Sequence, residues 1–262
     1  MLQTLVCLHA HPDDETIVTG GTIARAAAAG HRVVLVLATL GELGETPGLQ
    51  NGLAPGTTLA EVRKVEAERS AEILGIARIA YLGYHDSGMA GEDTNERPDC
   101  FAAANIEEAA AQLAQILLEE NADALTIYDE RGGYGHPDHI QVHRVGTQAA
   151  ELAGTPRVYE ATMNRDHLLA LMRERADEDG NVDGIGNIEE FDMGSPASAI
   201  TTTVDVGDFV DAKRSAMAAH ASQIPEDSFF LQMPVDAFRD AFGWEWFIRR
   251  NARPDEHEDW IF

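Results

Sequence analysis

The sequence predicts an α/β fold: one domain over residues 1–262, built on a Rossmann-like, mostly parallel sheet with helices on both faces. Short apolar runs alternate with helical patterns along the chain, and this order is typical of βαβ units. The runs are continuously apolar, so we expect strands buried on both sides, as in parallel sheets. A chain of 262 residues with 44% hydrophobic residues can bury one substantial core.

Local patterns predict the individual elements. The apolar run at 3–8 predicts the first strand, and small apolar residues at helical spacing predict a helix from Thr16 to Ala29, which Gly30 ends. Thr58 and Glu61 form a capping box at the start of another helix. The same criteria predict further strands at 33–38, 79–82, 124–128, 158–161, 199–206 and 243–250, and further helices at 58–74, 105–120, 139–152, 165–176 and 210–220.

Three long segments between these elements are polar or rich in glycine. They cover residues 39–57, 83–101 and 177–195, and we predict the last to be a loop or lid. Loops of this length in a compact domain are usually functional.

Histidine and aspartate residues cluster directly after the first and fourth predicted strands. His11, Asp13 and Asp14 follow the first strand, which Pro12 prevents from continuing as a central strand. The segment His-Pro-Asp-His at 136–139 follows the fourth. In doubly wound sheets, ligands bind beyond the carboxyl ends of the strands, where the strand order reverses. With the usual order 3-2-1-4-5, strands one and four are neighbours there, so we expect one site at their C-terminal ends.

The residue types in these clusters indicate a divalent metal, either zinc or another ion such as iron. Imidazole and carboxylate groups are common zinc ligands, and a catalytic zinc site has three protein ligands and a position for water. The best trio is His11, Asp14 and His139. Asp13 is next to the ligand Asp14 and is the candidate general base for a water whose pKa the metal lowers.

Three other residues of the second cluster are candidates for the reaction. His136 precedes His139 by three residues, so both side chains can approach one pocket. Asp138 can orient His136 and favour its charged form. Tyr134 can donate a hydrogen bond to a developing oxyanion.

Simpler explanations exist for several of these residues. A lone His-Pro-Asp segment is usually a turn with a solvated acid, but two of them, each directly after a buried strand, favour a metal site. His139 and His143 are four residues apart on a helix and could be a ligand pair themselves, although we expect His143 to be an exposed helix residue. By its position alone, Arg63 is expected to be a surface charge. The acidic segment 174–183 is expected to be a solvated loop.

Charge and composition limit the partners. The formal net charge of −26 argues against nucleic acid and against an anionic membrane, since both need a basic face. We find no signal peptide and no apolar run near the roughly 20 residues of a membrane span, and we therefore expect a cytoplasmic protein. Cys7 and Cys100 do not suggest a disulfide framework. The aromatic segment 243–250 suits a subunit contact in a homo-oligomer as well as the core.

Two motifs in this chain resemble those of a known family. Ala-His-Pro-Asp-Asp-Glu at 10–15 together with His-Pro-Asp-His at 136–139 resembles the PIG-L/LmbE-like family of zinc-dependent N-acetylglucosaminyl deacetylases. The segments Asp-Ser-Gly-Met at 86–89 and Gly-Gly-Tyr-Gly at 132–135 are most similar to its actinobacterial branch, which contains the mycothiol-pathway deacetylase and mycothiol-conjugate amidase. Residues 213–223 also resemble a later helix of the family.

The resemblance implies roles for individual residues. The family's metal ligands fall on His11, Asp14 and His139, which agrees with the trio chosen from the strand ends. Its general base falls on Asp13, its oxyanion-side acid on His136, and its pocket tyrosine on Tyr134. Its sugar-contacting positions fall on Arg63 and Asp86, and Met89, in the same Asp-Ser-Gly-Met segment, is a further candidate for substrate binding.

We therefore expect a metal-dependent hydrolase that removes the N-acetyl group from an N-acetylglucosamine-type sugar or glycoconjugate, with a small acetamido sugar as its partner. Amidase activity on mycothiol-type conjugates and deacylation of an antibiotic intermediate are alternatives within the family. Two other classes stay open: a metal hydrolase of another bond, such as a phosphoester, and a non-catalytic sugar-binding relative. A phosphoesterase usually needs basic residues to hold phosphate, and binding alone needs no general base.

Overall fold

A seven-stranded, mostly parallel sheet forms the centre of the fold. The computed structural model describes residues 1–49, 52–174, 176, 181–182, 186–187, 191–253 and 256–262. Within them the strands are β1 (Thr4–His9), β2 (Arg32–Leu37), β3 (Arg78–Tyr81), β4 (Ala124–Tyr128), β5 (Arg157–Thr162), β6 (Asn181–Val182), β7 (Gly186–Asn187), β8 (Thr202–Asp205) and β9 (Trp244–Arg249). The order in the sheet is β3-β2-β1-β4-β5-β9-β8, and β6 and β7 form a separate pair.

The predicted strand order is confirmed at the centre of this sheet. The neighbouring strands from β3 to β5 are all parallel, in the order 3-2-1-4-5. The late strand β9 pairs antiparallel with both β5 and β8, so the sheet is extended beyond β5 by strands from the last third of the chain. The prediction that residues 1–262 form one domain stays a prediction.

Helices cover both faces of the sheet. They are α1 (Asp14–Val18), α2 (Gly20–Ala28), α3 (Leu59–Leu74), α4 (Ile106–Glu120), α5 (Gly132–Gly135), α6 (Pro137–Ala153), α7 (Arg165–Arg173), α8 (Val210–Ala219), α9 (Phe229–Gln232) and α10 (Val235–Phe242). Alternate side chains of β1 point to opposite faces. Val6 and Leu8 pack in the core with α4 and α6, whereas Leu5 and Cys7 pack in the core with α2, α3 and α8.

The helix predicted over 16–29 is two helices in the structure. The break falls at Thr19, which has φ −131° and ψ 8°. Its hydroxyl lies 2.9 Å from His9 Nε2 and donates to the carbonyl oxygen of Glu15 at 3.3 Å. A threonine side chain that bonds locally in this way competes with regular helix, and the partner from β1 could not be foreseen from helical spacing.

Other boundaries agree closely with the prediction. The capping box of α3 is present: Thr58 accepts the Glu61 N–H while the Glu61 carboxylate accepts the Thr58 N–H. The helices α9 and α10 were not predicted, and their apolar side chains pack in a cluster with α8. The loop or lid predicted at 177–195 and the acidic segment 174–183 lie largely outside the described residues. Among the helices that the structure describes, none has the length and apolar composition of a membrane span.

A buried ion pair connects α8 to the sheet. Lys213 Nζ lies 2.6 Å from Glu245 Oε1, and the two side chains are 1% and 2% exposed. The Glu245 carboxylate also accepts the backbone N–H groups of Gly21 and Thr22 at 2.8 Å, at the start of α2. One carboxylate on β9 therefore holds α2 and α8 together.

The Lys213→Met variant is expected to lose about 3–5 kcal/mol of the free energy of unfolding, because it leaves Glu245 buried without its cationic partner. The other lysine of the chain, Lys64, is exposed on α3. Lys64→Met is therefore the matched control, with an expected change within about 0.5 kcal/mol. Urea unfolding followed by circular dichroism measures both. Equal losses in the two variants would contradict a stabilising role for the buried pair.

Candidate active site

The two histidine clusters lie side by side at the carboxyl edge of the sheet. β1 and β4 are adjacent parallel strands, with Leu5 paired to Ala124 and Cys7 paired to Thr126. Both strands end at the same edge, so the segments that follow them leave the sheet together. The structure thus places the two predicted motifs next to each other.

Asp14 lies between His11 and His139. Its Oδ2 atom is 3.3 Å from His11 Nδ1 and 3.3 Å from His139 Nε2. Two ligands of a tetrahedral zinc ion, each about 2.0–2.2 Å from the metal, are about 3.3 Å apart, so this spacing suits a shared ion. All three residues are buried, and His139 Nε2 has no hydrogen-bond partner within the described part of the chain. Buried polar atoms normally have a partner, so the free lone pair fits a metal ligand.

Asp138 fixes the orientation of His11. His11 Nε2 lies 3.2 Å from Asp138 Oδ2, which leaves His11 Nδ1 on the side of Asp14. The Asp138 carboxylate is fully buried and also accepts the Ser87 hydroxyl and, at 3.0 Å, the Ser87 backbone N–H. Metal-binding histidines commonly use a carboxylate in this way to set the tautomer and ring orientation.

The expected pairing of the Asp138 carboxylate with His136 is therefore replaced by a backbone contact. The Asp138 N–H donates to His136 Nδ1 at 3.2 Å, at the start of α6. Burial lowers the pKa of His136 to about 4; His11 and His139 also lower it, whereas Asp138 raises it. The lowered pKa favours the neutral imidazole at pH 7, and since Nδ1 of His136 accepts the Asp138 N–H, the neutral ring carries its proton on Nε2. The imidazolium form expected from the sequence is not favoured, because burial and, to a smaller extent, the two neighbouring histidines oppose its charge.

His136 is also close enough to belong to a metal-binding group. One nitrogen of each of His11, His136 and His139 lies within 4.8 Å of the others. A second group with the same spacing contains His11, Asp86, His136 and Asp138. The structure thus brings the three predicted ligands together. It also places His136 where it could bind the same metal in place of Asp14.

Asp13 has a backbone conformation that is unusual for a residue with a side chain. Its φ is 103° and its ψ is −37°. Two other non-glycine residues of the described chain have positive φ, Asn121 at 50° and Asn251 at 61°, where asparagine is tolerated. A φ of 103° lies outside this region and costs on the order of 1–3 kcal/mol. Such strain persists only where the surroundings hold it, and it concentrates at functional sites.

The guanidinium of Arg63 contacts the turn around Asp13. It donates to the carbonyl oxygen of Pro12, lies 3.3 Å from Asp13 Oδ2, and donates to the carbonyl oxygen of Gly41 at 2.7 Å. Arg63 is 3% exposed, so the expectation of a surface charge is wrong: this face of α3 packs against the loops of the site. Gly41 has φ 62°, and a Cβ there would lie 2.1 Å from the Arg63 guanidinium. Burial raises the pKa of Asp13 to about 6, although Arg63 lowers it.

The residues predicted to contact the sugar differ in exposure. Asp86 is buried, lies 3.6 Å from His11 Nε2, and accepts the N–H groups of Gly88 at 2.9 Å and Leu43 at 3.1 Å. Burial acts to raise the pKa of Asp86, but His11 and these hydrogen bonds hold it well below its usual range. Met89 is 50% exposed and is more open to a ligand than Asp86 or Arg63.

Tyr134 lies on a glycine-rich turn beside the histidines. Its ring centroid is 4.9 Å from that of His139 and 6.1 Å from that of His136, and the residue is 52% exposed. Gly132 has φ 64°, and a Cβ there would lie 2.7 Å from the backbone nitrogen of Ile140, so the turn needs glycine to approach α6. Desolvation and the charge of the nearby aspartates raise the pKa of Tyr134, which keeps the hydroxyl protonated at neutral pH.

Three residues that support the site were not identified from the sequence. Ser87 holds Asp138, and Glu15 accepts the Asp13 N–H at 2.9 Å. The Tyr128 hydroxyl lies 2.9 Å from His9 Nδ1, and its ring stacks on His139 with centroids 4.3 Å apart. Ser87 and Glu15 fall inside recognised motifs, and Tyr128 ends a strand, but sequence position alone does not reveal their partners.

Known proteins are similar to this chain in sequence and in fold. The pattern of the PIG-L family, described as GlcNAc-PI de-N-acetylase, matches residues 6–150, more than half of the chain. A 1D-myo-inositol 2-acetamido-2-deoxy-alpha-D-glucopyranoside deacetylase from Nocardiopsis dassonvillei is 39% identical over 259 residues, which cover 92% of this chain and 91% of the relative. This match confirms the resemblance seen in the two motifs.

Two solved structures have a similar fold. The N,N'-diacetylchitobiose deacetylase from Pyrococcus horikoshii aligns with a TM-score of 0.58 at 23% identity, over 94% of this chain and 83% of its own. GalB, a 4-carboxy-2-hydroxymuconate hydratase from Pseudomonas putida, aligns with a TM-score of 0.58 at 19% identity, over 96% and 98%. Since one is a deacetylase and the other a hydratase, these likenesses show the fold alone.

The residues that match the family pattern include both His/Asp motifs. This match, together with the relative that is 39% identical, shows that the chain belongs to the PIG-L family.

Proposed function

We propose that this chain is a metal-dependent N-deacetylase that hydrolyses the acetamido group of an N-acetylglucosamine-type glycoside, and that an inositol-linked substrate is the first to test. The observation that carries the proposal is the arrangement around Asp14. This carboxylate joins two histidines at metal-ligand spacing, and the next carboxylate, Asp13, is held on a strained turn beside it. Family membership and the inositol glycoside named for the Nocardiopsis relative support the choice of bond and sugar.

His11, Asp14 and His139 would hold the metal. Two imidazoles and one carboxylate suit zinc, and the same set suits Fe(II). A bound zinc ion would lower the pKa of a water molecule and polarise the amide carbonyl group. Asp138 supports this role because its contact with His11 Nε2 keeps Nδ1 available.

Asp13 is the general base in this mechanism. Its carboxylate takes one proton from the attacking water while the water oxygen bonds to the acetyl carbon. Arg63 lies 3.3 Å from Asp13 Oδ2 and also binds the Pro12 carbonyl, so the base and its backbone are held by one guanidinium. We assign Arg63 this positioning role in addition to the predicted contact with the sugar.

His136 and Tyr134 stabilise the negative charge on the former carbonyl oxygen. His136 donates through Nε2–H, since its Nδ1 accepts the Asp138 N–H. Tyr134 donates through its hydroxyl from an exposed, glycine-flanked position. Hydrogen bonds aimed at such developing charge are worth about 10²–10³ in rate each.

Collapse of the tetrahedral species releases the amine. The carbon–nitrogen bond breaks, and Asp13 returns the proton it took from the water to the leaving nitrogen. The second water proton is released as the acetic acid ionises, so the products are the free amino sugar and acetate. Asp13 is the better proton carrier here because His136 keeps its single proton on Nε2 for the oxyanion.

The charge of the site does not favour phosphoester hydrolysis. The carboxylates of Asp14, Asp86 and Asp138 lie within 3.6 Å of His11 nitrogens. The Arg63 guanidinium is already engaged with oxygens of Asp13 and Gly41. A phosphoester site usually offers free cationic donors to the phosphate oxygens. Amide hydrolysis therefore suits this site better.

A substrate panel tests the proposal. It contains inositol-linked N-acetylglucosamine, N,N'-diacetylchitobiose, a thiol conjugate of an acylated amino sugar, and an aryl phosphate, each with Zn²⁺ added. We expect equal amounts of acetate and free amine from an acetamido sugar, and the fastest release from the inositol glycoside. Release of phosphate without acetate, or cleavage of the thiol conjugate alone, would contradict the proposed reaction or its substrate.

A further inference from the structure

A buried network from three distant parts of the chain holds the turn of Asp13. Glu15 Oε2 accepts the Asp13 backbone N–H at 2.9 Å. Glu15 Oε1 accepts the Ser70 hydroxyl at 2.7 Å and lies 2.8 Å from His220 Nε2. Glu15, Ser70 and His220 are all 0% exposed. Ser70 comes from α3 and His220 from the end of α8, so no local segment could build this contact.

We propose that Ser70 and His220 are positioning residues for the deacetylation, which fix the Glu15 carboxylate so that it holds the Asp13 backbone in its unusual conformation. The inference rests on the proposed function, in which Asp13 is the general base. Neither Ser70 nor His220 needs to touch the substrate. Both act on the reaction through Glu15 and the backbone of Asp13.

The geometry of the turn explains why one hydrogen bond can control Asp13. The Asp13 N–H and the Glu15 side chain lie on opposite sides of the φ and ψ bonds of Asp13. A hydrogen bond between them therefore persists only while those angles stay near 103° and −37°. The Asp13 carbonyl oxygen is held separately, by the Thr16 N–H at 2.9 Å and the Thr16 hydroxyl at 2.7 Å. Arg63 holds the Pro12 carbonyl oxygen and the Asp13 carboxylate, and Glu15 holds the Asp13 N–H.

Glu15 can do this only if its own carboxylate is held in place. Burial removes water as a partner, and a buried carboxylate needs several donors. Two of its three donors are Ser70 and His220, which lie 55 and 205 residues away in the chain. Without them the Glu15 carboxylate would be free to turn away from the Asp13 N–H. The Asp13 carboxylate would then lose its fixed orientation.

A matched pair of serine variants separates positioning from general stability. Ser70→Ala removes a hydroxyl that donates to Glu15 at 2.7 Å. Ser222→Ala removes one that donates to Glu66 at the same 2.7 Å, and Ser222 is also 0% exposed. Both variants lose a buried serine bond to a glutamate, but only Ser70 reaches the turn of Asp13 through that glutamate. His220→Leu and His220→Gln complete the set.

The expected result is a fall in kcat without a change in KM or bound metal. His220→Leu lowers kcat by about 100-fold, the loss typical of a misplaced catalytic group, and Ser70→Ala lowers it by roughly tenfold. His220→Gln restores most of the activity, since its amide can donate to Glu15. Ser222→Ala keeps the wild-type kcat. Equal kcat values for Ser70→Ala and Ser222→Ala would overturn the inference.

Hydrogen exchange of the Asp13 amide distinguishes failure of this inference from failure of the proposed function. If the wild-type protein releases no acetate, the proposed function fails, but the exchange experiment still applies. We expect the Asp13 amide to exchange faster in Ser70→Ala and His220→Leu than in the wild type, and Ser222→Ala to match the wild type. Unchanged exchange in all variants would overturn the positioning role, whatever the activity, and it remains measurable in Ser70→Ala if His220→Leu does not fold.

Discussion

The Asp13→Asn variant is expected to lose about 10³-fold in kcat for acetate release while it keeps its metal, since a general base contributes about 10²–10⁴-fold. Asparagine has nearly the size and the same backbone preferences as aspartate, so the turn should keep its shape. It cannot take a proton from water. Steady-state kinetics on the inositol-linked acetamido sugar and metal analysis of the purified variant provide the two readouts.

Asp123→Asn is the matched control for this variant. Asp123 accepts the Thr4 N–H at 2.8 Å at the opposite, amino-terminal edge of β1 and β4. The same loss of charge there should leave kcat unchanged, because the residue is far from the strand ends that form the site. A fully active Asp13→Asn variant would contradict the assignment of the base, and loss of its metal would show that Asp13 is a ligand instead.

His139→Ala and Asp14→Ala are expected to abolish tight metal binding. Loss of a residue that merely orients a ligand weakens metal affinity by about 10–100-fold, and loss of a ligand should cost more than that. His139 Nε2 is buried without a hydrogen-bond partner within the described residues, and Asp14 Oδ2 lies 3.3 Å from it. Calorimetric titration with Zn²⁺ measures the affinity, and acetate release should fall in parallel.

Two other histidine variants distinguish the proposed metal ligands, His11, Asp14 and His139, from the alternative group of three histidines. His143, one turn after His139 on α6, lies 3.1 Å from the Tyr128 carbonyl oxygen through Nδ1, so His143→Ala should keep the metal. His136→Ala should also keep it but lose kcat, because we assign His136 to the oxyanion. Loss of metal in His136→Ala together with retention in Asp14→Ala would contradict the proposed trio and favour the three-histidine group.

The strand order and the convergence of the two motifs could be predicted from the sequence because both depend on short-range signals. Apolar runs of strand length, glycine at helix ends and the capping box at Thr58 are local patterns. The parallel order then places the ends of β1 and β4 together. Two of the predicted ligands, His11 and Asp14, are only three residues apart, so their proximity needed little tertiary information.

The contacts that tune the site could not be predicted because they join residues far apart in the chain. The sequence predicts that Asp138 faces its neighbour His136. In the structure its carboxylate accepts the N–H of Ser87, 51 residues away, and contacts His11. Arg63 was expected at the surface, but the loop at Gly41 and the turn of Asp13 enclose it. Helical spacing also gives no sign of the Thr19 contact with His9 that separates α1 from α2.

Titration of chelator-treated protein with Zn²⁺, with acetate and free amine measured at each step, shows whether deacetylation by this chain depends on a bound metal. The substrate is the inositol-linked N-acetylglucosamine. We expect no release without metal, a rise to a plateau at one ion per chain, and equal amounts of acetate and amine throughout. Full activity of the metal-free protein, or no release from the loaded protein, would contradict metal-dependent N-deacetylation.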